Sequence, residues 1–108
     1  MVSSEVQFPL SSGFYTVIDA EDLARLSQWH WHRRYCKPSY YAARTFRLHS
    51  PKLGSKDYKV VAIYMHRFLM HAPIGMQVDH KNCDTLDNRK ANLELVTPEE
   101  NLTRRRWH

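Results

Sequence analysis

The pattern of apolar and polar positions changes period along the chain. "EVQFPL" and "FYTVI" are short apolar runs split by Ser11, Ser12 and Gly13, the signature of a β-hairpin. In "DAEDLARLSQW", Leu23, Leu26 and Trp29 recur at helical spacing behind an acidic first turn, which predicts a helix of two to three turns capped by Asp19. "HWHRRYC", "YYAARTFRL" and "YKVVAIYM" are rich in aromatic and β-branched residues, with turn chemistry at Lys37-Pro38-Ser39 and from His49 to Lys56. They predict an antiparallel sheet of three or more strands. In it Tyr41, Ala43 and Thr45 share one face, and Tyr40, Ala42, Arg44 and Phe46 the other.

The last third repeats none of this. "HRFLMHA" predicts a short helix stopped by Pro73 and Gly75. A strand from Met76 to Asp79, a loop of about a dozen residues and the strand "LELV" follow. Thr97-Pro98-Glu99-Glu100 then combines three helix-start signals: a capping hydroxyl, a proline suited to the first helical position and a glutamate that can reach back. The helix is expected to run through Arg106.

Composition narrows the function. At 108 residues, 43% hydrophobic and 25% charged, the chain suits one domain with a modest core, or two small modules sharing one. Its net charge of +5 makes nucleic acid the leading partner class. A membrane is set aside, because no apolar run approaches the roughly 20 residues needed to span a bilayer. "MVSSEVQFPL" lacks the features of a secretory signal, so a cytoplasmic location is the expectation. Cys36 and Cys83 are two isolated cysteines, read as reduced thiols and not as a zinc knuckle or disulfide framework.

Against that background, Asp79 and His80 stand out as water-seeking groups at the end of an apolar strand. If the final helix packs across the strand pair, Asp79 and Asn101 converge on one point. Two oxygen ligands completed by water suit Mg²⁺ or a similar hard ion. His80 beside it can take a proton from water, and water attacking phosphorus is phosphodiester hydrolysis.

"VDHKNCDTLDNRKANLELVTPEEN" resembles the HNH endonucleases, the ββα-metal or His-Me finger nucleases, in their phage-type branch related to homing endonucleases. The likeness extends back through "IDAEDLARLSQWHW", "YYAART" and "MHRFLM", so it covers most of the chain. The resemblance implies Asp79 as a metal ligand, His80 as general base and Asn101 as the second ligand. It also implies that Asn92, within "LDNRKANL", ties the loop to the base and orients it. Some family members carry a further histidine one turn beyond the Asn101 position; here Arg105 stands there and can grip phosphate but not a cation. Mg²⁺ or Mn²⁺ is therefore expected, one ion per site.

Other residues carry more than one reading. Asn82, Asp84, Asp87 and Asn88 read as loop-shaping groups. Arg89 is either a loop brace or a phosphate contact. His66 and His71 read as packing around the short helix, and His30 and His32 as one face of a strand whose other face holds Trp29 and Trp31. Tyr40, Tyr41 and Phe46 read as core and not as base-stacking groups. Arg44, with Lys37, Arg47, Lys52, Lys56 and Lys59, could track DNA phosphates, as could Arg104, Arg105 and Arg106.

The expected fold class is α+β: a strand-rich leader with one helix, residues 1–63, packed on a ββα-metal module, residues 64–108. The expected function is metal-dependent DNA cleavage, by a monomer that nicks or a homodimer that breaks both strands. The alternative is a catalytically silent nuclease-derived DNA-binding module.

Overall fold

The computed structural model describes residues 4–49 and 58–105, without the side chains of residues 103–105. Lys52, Lys56 and Arg106 lie outside the described residues, as do the side chains of Arg104 and Arg105. The chain is a mixture of short strands and helices, α+β in class.

β1 (Glu5–Pro9) and β2 (Tyr15–Asp19) form the expected hairpin. Alternation decides what each buries. Val6 and Phe8 pair with Ile18 and Thr16 on the inner face, while Glu5, Gln7 and Pro9 stay in water. The connection places Ser12 at φ 65° and Gly13 at φ 81°, a left-handed pair in which glycine carries no side-chain penalty.

The helix that follows is shorter than its pattern predicts. A 3-10 turn at Ala20–Asp22 leads into α1 (Leu23–Leu26), a single turn. Burying Trp31 requires a partner for its indole N–H, and that partner is the Leu26 carbonyl, at 2.8 Å. Ser27 Oγ takes the Leu23 carbonyl at 2.6 Å, so acceptors that would continue the helix are already used. Asp19 does not cap either; its carboxylate accepts the Lys90 backbone N–H at 2.9 Å, 71 residues away.

β3 (His32–Cys36), β4 (Ser39–His49) and β5 (Tyr58–Tyr64) form one antiparallel sheet in that order. Ala42 and Ala43 are both buried, so this end of β4 is covered on its two faces, and their small side chains permit it. Farther along, Thr45 to His49 and Tyr58 to Val60 are exposed, leaving a two-stranded ribbon in water on both sides. Tyr40 and Phe46 are exposed, not core, because arginines cover them instead. The Arg33 guanidinium lies between Phe14 and Tyr40, 3.5 and 3.9 Å from their ring centres. That of Arg44 lies 4.4 Å from Trp29 and 5.7 Å from Phe46. Trp29, His30 and Trp31 precede β3, so of the expected alternation of histidines and tryptophans only His32 lies in the strand.

α2 (Met65–Met70) ends at His71, in the left-handed region at φ 49°, before Pro73 is reached. The Arg67 guanidinium donates to the carbonyls of Met76, at 2.7 Å, and Pro73, at 3.3 Å, fixing the turn that launches β6 (Gln77–His80). β7 (Leu93–Val96) pairs antiparallel with β6, and α3 (Pro98–Arg105) follows.

A single cluster unites the hairpin, the three-stranded sheet and the last third: Phe8, Leu10, Ile18, Leu26, Trp31, Ala42, Met65, Leu69 and Leu93. β2 also pairs with the loop after β6. Val17 donates to Leu86 at 2.8 Å and Asn88 to Val17 at 2.7 Å, through their backbones. The loop that frames the site is thereby tied to β2 by two backbone hydrogen bonds.

Candidate active site

His80 ends β6 and is 5% exposed, with Tyr41 and His66 against its ring, their centroids 6.0 and 5.1 Å away. Its Nε2 lies 3.0 Å from Asn88 Oδ1. The Asn88 amide nitrogen is already committed to Thr16 Oγ1, at 2.9 Å, so its oxygen faces the histidine. Nε2 must then carry the proton and donate it, which leaves Nδ1 as the nitrogen that can accept one. Burial lowers the His80 pKa, partly opposed by the Asn88 hydrogen bond and by Asp79, Asp84 and Asp87. The ring is therefore neutral near pH 7.

Asn88 is fully buried, and sequence reasoning had assigned it only to loop shaping. The available signal was its position eight residues after His80 inside "LDNRKANL". Asn92, expected to tie the loop to the base and orient it, has its side chain bonded within the loop. Its Oδ1 accepts the Asn82 N–H at 3.0 Å, and its Nδ2 donates to Asn82 Oδ1 and to the Asp87 carbonyl, both at 2.9 Å. The Asn92 carbonyl takes the N–H of Lys81, the residue after His80, at 2.8 Å. Asn92 thus closes the loop on itself.

Asn82 and Asp84 shape the same loop as expected. Asn82 Oδ1 accepts from Asp84 N at 2.9 Å, and Asp84 Oδ1 from Leu86 N at 3.0 Å. Arg89 grips Asp87 with two parallel bonds, Nε at 2.7 Å and Nη2 at 2.6 Å, and lies 3.5 Å from Glu5. The pair holds the Asp87 carboxyl below its ordinary range. Of the two readings of Arg89, this geometry displays the brace. Arg44 is stacked on Trp29, with its Nε buried and unpaired.

Asp79 is half-buried on β6, opposite Glu94. Alternation puts Asp79 and Gln77 on the same face. The Asn101 amide donates to Gln77 Oε1 from the first turns of α3, so the helix crosses the strand on that face. A cavity of about 200 Å³ opens between Gln77, Val78 and Asn101 on one side and Cys36, Tyr41, Tyr64 and His66 on the other, next to Asp79 and His80 in sequence but not lined by them. His66 borders both cavity and base. Its Nδ1 is buried without a partner, and burial, with smaller contributions from His80 and Arg67, pushes its pKa down to about 3.

The donor set suits a hard cation: a carboxylate from Asp79 and an amide oxygen from Asn101, whose nitrogen is engaged by Gln77. Among the described residues, Asp19, Glu21 and Asp22 also cluster within 4.8 Å. Lys90 Nζ sits in that cluster, 2.9 Å from Glu21 and 3.3 Å from Asp22, and joins it to the loop. His71 and His30 are exposed, and no described helix is long and apolar enough to cross a membrane.

Residues 68–103 match the family model described as HNH endonuclease. The chain is also 41% identical over 51 residues to the "SPbeta prophage-derived putative HNH homing endonuclease YosQ" of Bacillus subtilis (strain 168). That alignment covers 47% of this chain and 30% of the relative, so the chain spans under a third of the relative's length. No solved structure matches significantly. The matched segment contains the Asp79–His80 strand end, the braced loop and the helix with Asn101, and it is in this segment that the chain is similar to the HNH endonucleases.

Proposed function

We propose that this protein is a divalent-metal-dependent DNA endonuclease. In this reading residues 64–108 are the ββα-metal nuclease module and residues 1–63 a leader that contacts DNA. His80 is the general base: Nδ1 takes a proton from water as the water oxygen bonds to phosphorus and the bond to the leaving oxygen breaks. Asn88 holds the ring through Nε2, and Asn92 maintains the loop that carries Asn88. Asp79 and Asn101 would hold Mg²⁺ or Mn²⁺, which stabilises the charge developing on the phosphate and leaving oxygen. Arg104, Arg105 and Arg106 follow Asn101 in sequence and are assigned to the phosphate backbone.

The observation that carries this reading is the contact of buried Asn88 Oδ1 with His80 Nε2. A buried amide oxygen accepting from Nε2 leaves the opposite nitrogen basic, at the end of the strand that bears Asp79. One such site cuts one strand, so a monomer nicks, and a homodimer is the assembly expected for double-strand breaks.

Supercoiled plasmid incubated with Mg²⁺, Mn²⁺ or EDTA tests the proposal, with Asp79→Ala and Asn101→Ala beside the native chain. Nicked or linear product in either metal, absent in EDTA and reduced at least a hundredfold in both variants, is expected. Cleavage that persists in EDTA would remove the metal from the account. Native protein that binds but never cuts would make it the silent binding module.

A further inference from the structure

The three-stranded sheet has two faces with opposite fates. Cross-strand partners share a face, so the registers Arg33↔Ala42, Tyr35↔Tyr40 and Arg44↔Ile63 place Arg33 and Arg44 together. On that face both guanidinium groups are stacked on aromatic rings, each with a buried Nε. The other face carries Arg34 opposite Tyr41, and then Thr45 and Arg47 farther along β4. Arg34, Thr45 and Arg47 are exposed.

This second face is continuous with the candidate active site. Cys36, Tyr41 and Tyr64 belong to it and form one wall of the cavity whose other side holds Gln77 and Asn101. Substrate that reaches the cavity has this face as its continuation. The chain has no Asp or Glu between Asp22 and Asp57, so nothing in β3 or β4 repels a polyanion. Beyond Ala43 the ribbon of β4 and β5 is exposed on both sides, with Phe46, Leu48, Tyr58 and Val60 in water. A two-stranded ribbon fits the major groove of B-form DNA but not the deep, narrow one of A-form RNA.

We propose that duplex DNA is held along the sheet face bearing Arg34, Tyr41, Thr45 and Arg47, with the β4–β5 ribbon in the major groove beside the cleavage point. The proposal rests on the reading of a DNA substrate at the Asp79–His80 site. Six residues separate Tyr41, at the cavity, from Arg47 (47 − 41). At ~3.3 Å per residue that is roughly 20 Å, about six base-pair steps. Arg44, grouped with Arg47 in the sequence reading, lies on the opposite face of the sheet.

The test is binding of the native chain, Arg34→Ala/Arg47→Ala and Lys59→Ala to a mixed-sequence DNA duplex across a salt series, with plasmid cleavage run in parallel. Lys59 pairs with Leu48 on the opposite face and serves as a control that removes one charge from that face. The double variant should bind roughly tenfold or more weakly, with a salt slope shallower by about two. Lys59→Ala should stay within twofold, and an RNA duplex should bind more weakly than DNA. If native protein cuts plasmid while the double variant binds and cuts equally well, the surface is wrong and the nuclease reading stands. If the RNA duplex binds as tightly as DNA, the major-groove placement is overturned. If the arginines prove essential for binding but native protein cuts nothing, the surface stands and the nuclease reading falls.

Discussion

At the residue scale, the site turns on which group holds His80. Its partner was not legible in the sequence, because Asn82, Asn88 and Asn92 are chemically alike and only folding reveals which points inward. Asn88 does so because β2 pairs with the backbone on either side of it and Thr16 fixes its nitrogen. Asn88→Ala should therefore lower kcat by about ten- to a hundredfold with KM little changed, the range of a mispositioned general base. It should also cost about 1–3 kcal/mol of stability, because Thr16 and the His80 N–H lose a buried partner. A matching loss of folded protein in the circular dichroism spectrum of the variant would assign the kcat loss to unfolding instead. The lowered His80 pKa predicts that log kcat/KM rises with unit slope through an acid limb centred below ~6.5, since only the neutral ring accepts a proton. A limb centred above that value would contradict the neutral, buried base.

At the scale of elements, the strands and the last helix were readable, and the long-range joints were not. The β1–β2 hairpin follows from alternation and a turn, and α3 from three coincident start signals, all local. The helix at Asp19 fails because its expected cap is drawn to Lys90 and its carbonyls to Ser27 and Trp31, contacts set by tertiary structure. α3 presents Asn101 to the β6 face, so its start should matter to the metal. Thr97 Oγ1 accepts the Glu100 N–H at 3.1 Å. Thr97→Ala should cost about 1 kcal/mol and weaken Mn²⁺ binding in calorimetry. Unchanged stability and Mn²⁺ affinity would detach the helix start from the site.

At the scale of the molecule, the leader and the family-matched segment share a core, and their loops are tied by Lys90 to Glu21 and Asp22. The resemblance made His80, Asp79 and Asn101 visible; the sheet face that continues from the cavity was invisible, because strand register is not written in local composition. Burial of His66 has a global consequence. Its pKa falls to about 3 in the fold, against ~6.5 when unfolded, so between these values the unfolded chain binds the extra proton. This stability is fully present above pH 6.5 and is lost as pH falls toward 3. The urea midpoint should drop between pH 7 and pH 5, and His66→Phe should flatten the drop; an equal drop in the variant would assign it to other groups.

The central claim is that His80 performs the chemistry, and single-turnover cleavage of supercoiled plasmid in Mn²⁺ by native protein and by His80→Ala tests it most directly, with DNA affinity measured for both. The account predicts a rate loss of at least a hundredfold with affinity unchanged. Cleavage by His80→Ala at the native rate would contradict it.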